Sequence, residues 1–394
     1  MTILESRLVA AAGLGGQVRF VNLSSGACVS VLDEVEGASL HHINKLHAHE
    51  HCLFVCGNPW IRLYSMDCLE VPPTVYSGHK SNVTTIDVQR DARWFISADE
   101  SGKVCLWDLR ASGHQLSISH ASGIYSGRLH RNQQAFTFGD AEGFVNHFDL
   151  AANRIVKRRF SESVRSGAGI AALVSDEGDR ILCAHENQLI SVLDDLDLNS
   201  LETSEMAEDM TSRHDDSSPR HGITPPPPPM LMPLISRSVS SNPPVRPTAV
   251  TQDEPETFTL KTDPIQSFGQ QVHKQGSYIT SLSVNSVGNA LSSTCSDGAV
   301  ALWRLNQDEG LWGLESVMEH STQNGSDRWC WDSEFVDDRF VLAAYADGLC
   351  KLWDSARPSS PPVASYDCGG GKGVRTIVVI NSWALGNQSD RRTF

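Results

Sequence analysis

A strand–turn–strand unit recurs along the chain, and this repetition constrains the fold more than any other feature. The clearest copy opens with Gly78-His79 and continues with an alternating apolar and polar segment, Asn82 to Val88. It closes with a glycine turn and the strand Val104-Cys105-Leu106-Trp107-Asp108. A GH pair, period-two strands and a terminal WD pair are the signature of one β-propeller blade.

Seven copies of the strand–turn–strand part can be aligned along the chain. They lie at Val9–Asn22, Leu53–Ser65, Trp94–Asp108, Phe136–Asp149, Ile181–Asp194, Leu291–Arg304 and Val341–Asp354. Blades of this kind repeat about every 40 to 45 residues, and all steps but the fifth fit approximately. A small sheet cannot bury both faces alone, whereas sheets stacked in a ring can. The sequence therefore predicts an all-β, seven-bladed WD-repeat β-propeller. Because the fifth copy is weak, a six-bladed ring is the alternative.

The long fifth step contains a different kind of sequence. Residues 199–256 are rich in Ser, Pro, Asp and Glu, include the run Pro225 to Pro229, and have no Phe, Trp or Tyr. Such a segment cannot bury enough apolar surface to offset a backbone ordering cost of about 1–2 kcal/mol per residue. We predict blades one to five in residues 1–198, a disordered insertion at 199–256 between blades five and six, and blades six and seven in 257–394. Ser218 and Thr224, each followed by Pro, are candidate phosphorylation sites within the insertion.

The ring must also be closed where it starts and ends. The first copy begins too early in the chain to be preceded by an inner strand, and a strand-like segment, Gly373 to Asn381, follows the last copy. We predict that this C-terminal strand completes blade one.

A full WD blade contains a polar network of His, Ser, Asp and Trp. In the third copy His79, Ser97, Trp107 and the closing Asp108 fit this pattern, and Ser101 stands where the turn Asp is expected. In the last two copies the pattern retains a turn Asp and the closing Trp, without a preceding GH pair. These residues are Asp297, Trp303, Asp347 and Trp353.

Composition argues against several other functions. The net charge of −15 over 394 residues disfavours nucleic-acid and anionic membrane surfaces. None of the ten cysteines has CxxC spacing, and the histidine run from His41 to His51 has no fixed partner ligand, so we expect no metal. The Gly369–Gly373 run lacks the order of a phosphate-binding loop, so we expect no cofactor. No nucleophile, base and orienting group can be assembled, and we expect a protein that is not an enzyme.

Several segments resemble the lethal-with-Sec-thirteen family, the β-propeller subunits of target-of-rapamycin (TOR) kinase complexes. The similarity is carried by Asn82 to Ile86 with Trp107 to Arg110, by Trp60-Ile61-Arg62-Leu63-Tyr64, and by Arg328-Trp329-Cys330-Trp331-Asp332. The resemblance implies a non-catalytic scaffold in growth and nutrient signalling. It implies a monomeric propeller that binds the C-lobe of a TOR-type kinase within a larger complex. It also implies a cytoplasmic location, which the complex could extend to endomembrane surfaces.

The resemblance implies that contact residues lie where the inner strands begin. Trp329 and Trp331 match a W-x-W pair of the family, Asn44 matches an asparagine, and His42 replaces a glutamine. Asn82 and Tyr278 begin other inner strands and are further candidates. Two alternatives remain open. The two indoles could instead pack between blades seven and one, and the propeller could instead recruit substrates to a ubiquitin ligase.

Overall fold

A computed structural model describes residues 7–32, 42–111, 113–160, 168–176, 180–194, 254–319, 329–358 and 360–381. Within these ranges every helix or strand is a β-strand, and the strands form seven sheets. The predicted all-β, seven-bladed propeller is confirmed, and the six-bladed alternative is wrong.

The strands, in chain order, have the following bounds. The first half contains β1 (Arg7–Gly13), β2 (Val18–Asn22), β3 (Cys28–Leu32), β4 (Lys45–His49), β5 (Cys52–Cys56), β6 (Ile61–Ser65), β7 (Thr74–Tyr76), β8 (Val83–Val88), β9 (Trp94–Asp99), β10 (Lys103–Asp108), β11 (His114–Ser119), β12 (Ile124–Leu129), β13 (Ala135–Asp140), β14 (Val145–Asp149) and β15 (Arg154–Phe160). The second half contains β16 (Ile170–Ser175), β17 (Ile181–His185), β18 (Ile190–Leu193), β19 (Glu256–Thr262), β20 (Gln266–Phe268), β21 (Ile279–Val284), β22 (Ala290–Cys295), β23 (Ala299–Asn306), β24 (Leu311–Glu319), β25 (Cys330–Phe335), β26 (Phe340–Tyr345), β27 (Leu349–Asp354), β28 (Ala364–Asp367) and β29 (Val374–Asn381).

Each sheet repeats one antiparallel order from inner to outer strand. The sheets of blades one to seven are β29-β1-β2-β3, β4-β5-β6-β7, β8-β9-β10-β11, β12-β13-β14-β15 with β19 added, β16-β17-β18-β20, β21-β22-β23-β24 and β25-β26-β27-β28. Because the order is the same everywhere, the residues just before each inner strand share one end of the ring. The Thr84 hydroxyl near the start of β8 donates to the Ile124 carbonyl at the start of β12, which illustrates this alignment.

The middle strands are buried on both faces because a sheet stacks on each side of them. β13 and β22 are buried at every position, although their sequences AFTFGD and ALSSTC contain polar residues. The outer strand β3 is exposed or half-buried throughout. Burial therefore follows the position of a strand within its blade more closely than its hydropathy.

Seven apolar clusters hold the sheets together, one for each pair of neighbouring blades. Phe54 of blade two packs with Phe95 and Trp107 of blade three, for example. Further clusters join blades three and four, four and five, five and six, six and seven, seven and one, and one and two. This arrangement makes the packing of each blade depend on both neighbours.

The C-terminal strand supplies the inner strand of blade one. β29 pairs antiparallel with β1 from Arg7 opposite Asn381 to Gly13 opposite Val374. Val374, Ile377 and Ile380 are buried. Full burial of one such side chain contributes about 1.5–3 kcal/mol, so β29 adds packing as well as hydrogen bonds.

Blade five is split by a long segment. Residues 195–253, which contain most of the predicted insertion, lie outside the described residues. The chain returns as β19, which pairs in parallel with β15 of blade four, and then as β20, which pairs with β18. Residues 257–268, which the sequence pattern assigns to blade six, therefore belong to the sheets of blades four and five. The alternation in Thr257-Phe258-Thr259-Leu260 marks a strand but does not identify its partner.

Candidate partner-binding surface

An aromatic cluster lies at the end of the ring where the inner strands begin. Trp329 directly precedes β25, and its ring centroid is 4.9 Å from that of Trp331 at a tilt of 57°. Tyr278 directly precedes β21 and meets Trp329 edge-on at 5.5 Å. The guanidinium of Arg375, on β29, lies 5.4 Å from the centre of the Trp331 ring. The structure thus joins three predicted contact residues and adds Arg375, which the sequence analysis did not identify.

The indoles are neither sealed within the ring nor fully exposed. Trp329 is 37% exposed, and Trp331 and Tyr278 are half-buried. The stacking of Arg375 on Trp331 shows that Trp331 contacts blade one, as the packing alternative expects, while Trp329 stays accessible. Aromatic side chains that are fixed by neighbours and still reachable suit a protein interface, because little conformational entropy is lost on binding.

The cluster borders a central channel formed by the inner strands. The cavity has a volume of about 610 Å³ and receives residues from all seven blades, including Asn44, Tyr125, Glu186, Trp331 and Arg375. Its walls mix apolar, acidic and basic groups.

Asn44 carries an unused hydrogen-bonding group into this channel. Its side chain is 9% exposed, and neither its amide nitrogen nor its amide oxygen has a hydrogen-bond partner. Buried amides are normally satisfied, so an unpaired one at a channel wall marks a place for a partner or for water. His42, two residues earlier, is exposed, and no described contact joins it to the aromatic cluster.

Asn82 stands at the same end of blade three. Its amide donates a 2.9 Å hydrogen bond to Glu100, which also lines the channel. Glu186 occupies the corresponding position after the second strand of blade five. The backbone N–H of Glu186 donates to the Gly169 carbonyl just before β16, as the N–H of Glu100 donates to the Asn82 carbonyl just before β8. The sequence alone does not single out these two glutamates, because the position after each second strand becomes recognisable only once the blades are aligned.

Blade three contains the expected polar network with one correction. His79 Nε2 and Trp107 Nε1 both contact the Ser97 hydroxyl, at 2.7 and 2.8 Å. The acid is Asp99, whose carboxylate lies 2.7 Å from His79 Nδ1, and Ser101 donates its hydroxyl to the same carboxylate. Burial opposes ionisation of Asp99, but hydrogen bonds from His79 and Ser101 lower its pKa to about 2. Asp108 lies outside this network and pairs with Arg110 at 2.9 Å.

The later blades keep parts of this pattern. Trp303 donates to Ser293 at 2.9 Å, and Asp297 lies 3.5 Å from His273. His273 therefore stands where a GH histidine would, which the sequence analysis missed because no glycine precedes it. Asp347 accepts the backbone N–H of Leu349 in the turn of blade seven, and Trp353 is buried between blades six and seven.

A search of the described part of the chain for membrane-spanning helices finds none that is long and apolar enough to cross a bilayer.

Comparison with known proteins agrees with this architecture. The family described as WD domain, G-beta repeat matches residues 70–108 and 263–304. The target of rapamycin complex subunit wat1 of Schizosaccharomyces pombe is 30% identical over 152 residues, which are 38% of this chain and 47% of that protein. The target of rapamycin complex subunit LST8-1 of Arabidopsis thaliana is 32% identical over 131 residues, which are 32% of this chain and 42% of that protein.

Among solved structures, the β-propeller domain of Cps50 (Swd1) from Myceliophteria thermophila superposes with a TM-score of 0.57 at 15% identity. The match covers 84% of this chain and 87% of that domain and shows the shared fold. The chain spans less than half the length of the curated relatives it matches. The repeats and the seven sheets show a seven-bladed β-propeller with WD repeats, and the chain is similar over part of its length to the LST8 subunits of target of rapamycin complexes.

Proposed function

We propose that this chain is a non-catalytic scaffold subunit that binds the kinase domain of a TOR-type kinase and supports growth and nutrient signalling. Two curated relatives are named as subunits of target of rapamycin complexes, which gives the class of assembly. The observation that carries the proposal is the half-exposed cluster of Tyr278, Trp329 and Trp331 at the channel mouth. Within the complex the propeller is monomeric, acts in the cytoplasm and can be carried to endomembranes.

The chemistry of the surface suits a macromolecular partner. The indoles offer apolar area in fixed positions, and the unpaired Asn44 amide can accept and donate hydrogen bonds. Aromatic residues and arginine are enriched at the centres of protein interfaces, and here Arg375 lies against the Trp331 ring. We propose that the C-lobe of the kinase contacts this surface, with Asn82 and His42 at its margin.

Substituting the indoles tests the proposal. Truncation of an interface hot spot costs about 2 kcal/mol or more, so Trp329→Ala and Trp331→Ala should each weaken binding of the purified kinase domain roughly 30-fold or more. The measurement is the dissociation constant by calorimetry, with the thermal transition of each variant recorded to show that it is folded.

Trp94→Ala is the matched control. Trp94 is also half-buried, but it lies at the opposite end of the ring. It is the first residue of β9, and the next residue, Phe95, pairs with Val88, the last residue of the inner strand β8. It should leave kinase binding unchanged. Folded indole variants that bind the kinase as tightly as the unsubstituted protein would refute the proposed surface.

A further inference from the structure

A group of three potential metal ligands lies in blade six, next to the loop that leads to Tyr278. The ligand atoms of His273, Cys295 and Asp297 all lie within 4.8 Å of one another. The residues come from the loop before β21, from the end of β22 and from the turn that follows it. Folding therefore brings together residues whose sequence spacing shows no metal motif.

The histidine of this group is buried and poorly satisfied. His273 is 7% exposed, and neither of its ring nitrogens forms a hydrogen bond of acceptable geometry. Its nearest charged neighbour is Asp297, whose carboxylate oxygen lies 3.5 Å from Nδ1. A buried imidazole with two unused nitrogens is unusual, because buried polar groups are nearly always paired.

In blade three the residues at the equivalent positions form a complete hydrogen-bond network. There His79 contacts Asp99 and Ser97, each at 2.7 Å. In blade six Cys295 stands at the position of Asp99, since Cys295 pairs with Ile279 as Asp99 pairs with Val83. The thiol thus replaces the carboxylate that would have closed the network, and Asp297 in the turn supplies a carboxylate from another direction.

We propose that His273, Cys295 and Asp297 form a binding site for one Zn²⁺ ion. Imidazole nitrogen, thiolate sulfur and carboxylate oxygen are the three ligand types that zinc accepts, and the mixture suits zinc better than calcium or magnesium. The carboxylate is already oriented by the backbone N–H groups of Lys274 and Ala299, each donating at 2.9 Å. Such outer contacts fix a metal ligand before the ion arrives.

Solvent can supply the fourth ligand. His273 lines a surface depression of about 900 Å³ together with Gln271, Gln275 and Ser277. Three protein ligands and a water are a common zinc arrangement.

The site is connected to the proposed partner surface through a short loop. His273 and Tyr278 are the two ends of this loop, and Ser277 within it accepts a hydrogen bond from the Cys295 thiol at 3.2 Å. An ion that fixes His273 to the blade would also restrict Tyr278. The proposed zinc site depends only on the geometry of blade six and does not depend on the proposed kinase partner.

The test uses the full chain purified without a histidine tag. After loading with zinc and removal of the unbound ion, elemental analysis should find one zinc per chain at this site. Cobalt loading of the unsubstituted protein should produce the thiolate-to-cobalt charge-transfer absorption that only a sulfur ligand gives. Cys295→Ala should remove that absorption and one equivalent of zinc.

Cys105→Ala is the control, because Cys105 is equally buried but lies in blade three. It should keep both the absorption and the zinc. The cobalt spectrum needs no substitution, so it decides the matter even where a variant fails to fold. Absence of the charge-transfer absorption in the folded, unsubstituted protein, or zinc retained in full by folded Cys295→Ala, would overturn the proposal.

Discussion

The Ser97 hydroxyl is the shared centre of the blade-three network, since His79 and Trp107 both contact it and all three side chains are buried. Removing it leaves two buried polar groups without their partner. A buried unsatisfied group costs about 1–3 kcal/mol, so Ser97→Ala should lower the free energy of unfolding by roughly that amount or more. Urea denaturation followed by tryptophan fluorescence measures the change.

Ser119→Ala is the comparison for this prediction. Ser119 is exposed on the outer strand of the same sheet, and its loss should change stability by less than about 0.5 kcal/mol. Equal stability of the two variants would show that the network does not stabilise the blade.

At this scale the sequence predicts residue identity better than residue role. The WD signature locates His79, Ser97 and Trp107 correctly, because their spacing follows the blade. It assigns the acid to the position of Ser101, whereas Asp99 supplies it from the end of the strand. Arg375 could not be predicted, because its contact with Trp331 joins two strands that meet only when the ring closes.

Closure of the ring depends on the C-terminal strand β29. It completes blade one, and Asp332 and Glu334 of blade seven accept the backbone N–H groups of Ile377 and Val379. Deleting residues 372–394 should leave blade one without its inner strand and expose a sheet edge. We expect a broad, non-cooperative thermal transition by calorimetry.

A shorter deletion is the control for the removal of β29. Removing residues 382–394 spares every paired position of β29 and should preserve the cooperative transition. A sharp, unshifted transition in the longer deletion would contradict a role for β29 in closure.

Glu334 should make this closure sensitive to pH. Burial raises the pKa of Glu334 to about 8, although the hydrogen bond from Val379 opposes the shift, and Asp332, Lys45 and Arg7 also act on it. Free glutamate has a pKa of about 4.3, so between about pH 5 and 8 the folded chain binds the extra proton. Stability therefore falls as pH rises through this window, by at most on the order of 1 kcal/mol per pH unit.

Glu334→Gln tests the pH effect because the amide cannot ionise. Its free energy of unfolding should fall less steeply with pH than that of the unsubstituted protein, whereas the exposed Glu309→Gln should keep the original slope. Parallel pH profiles for all three proteins would exclude Glu334 as the source.

At the scale of the whole molecule, the fold class follows from the repeats because each blade carries its own alternating strands. The weak fifth copy, Ile181–Asp194, forms β17 and β18 although its closing position is Leu193 rather than Trp. The outer strand of blade five could not be predicted from the sequence, because β20 has only three residues and lies far along the chain from β18. Pairing over such a distance depends on the assembled ring rather than on local pattern.

The candidate surface was predictable only in part and for the same reason. The W-x-W pair and Tyr278 could be assigned to the beginnings of inner strands from the sequence. Their convergence at one channel mouth, with Asn44 unpaired nearby, is a property of the closed ring. This convergence of aromatic and polar groups is what the proposed scaffold function requires.

Affinity purification of the tagged full chain from its own cells, with quantitative mass spectrometry, tests the scaffold function most directly. We predict that a TOR-type kinase is recovered in near-equal amount with the propeller and is lost with Trp329→Ala and Trp331→Ala. Recovery of cullin-linked ubiquitin-ligase subunits without any TOR-type kinase would contradict the proposed function.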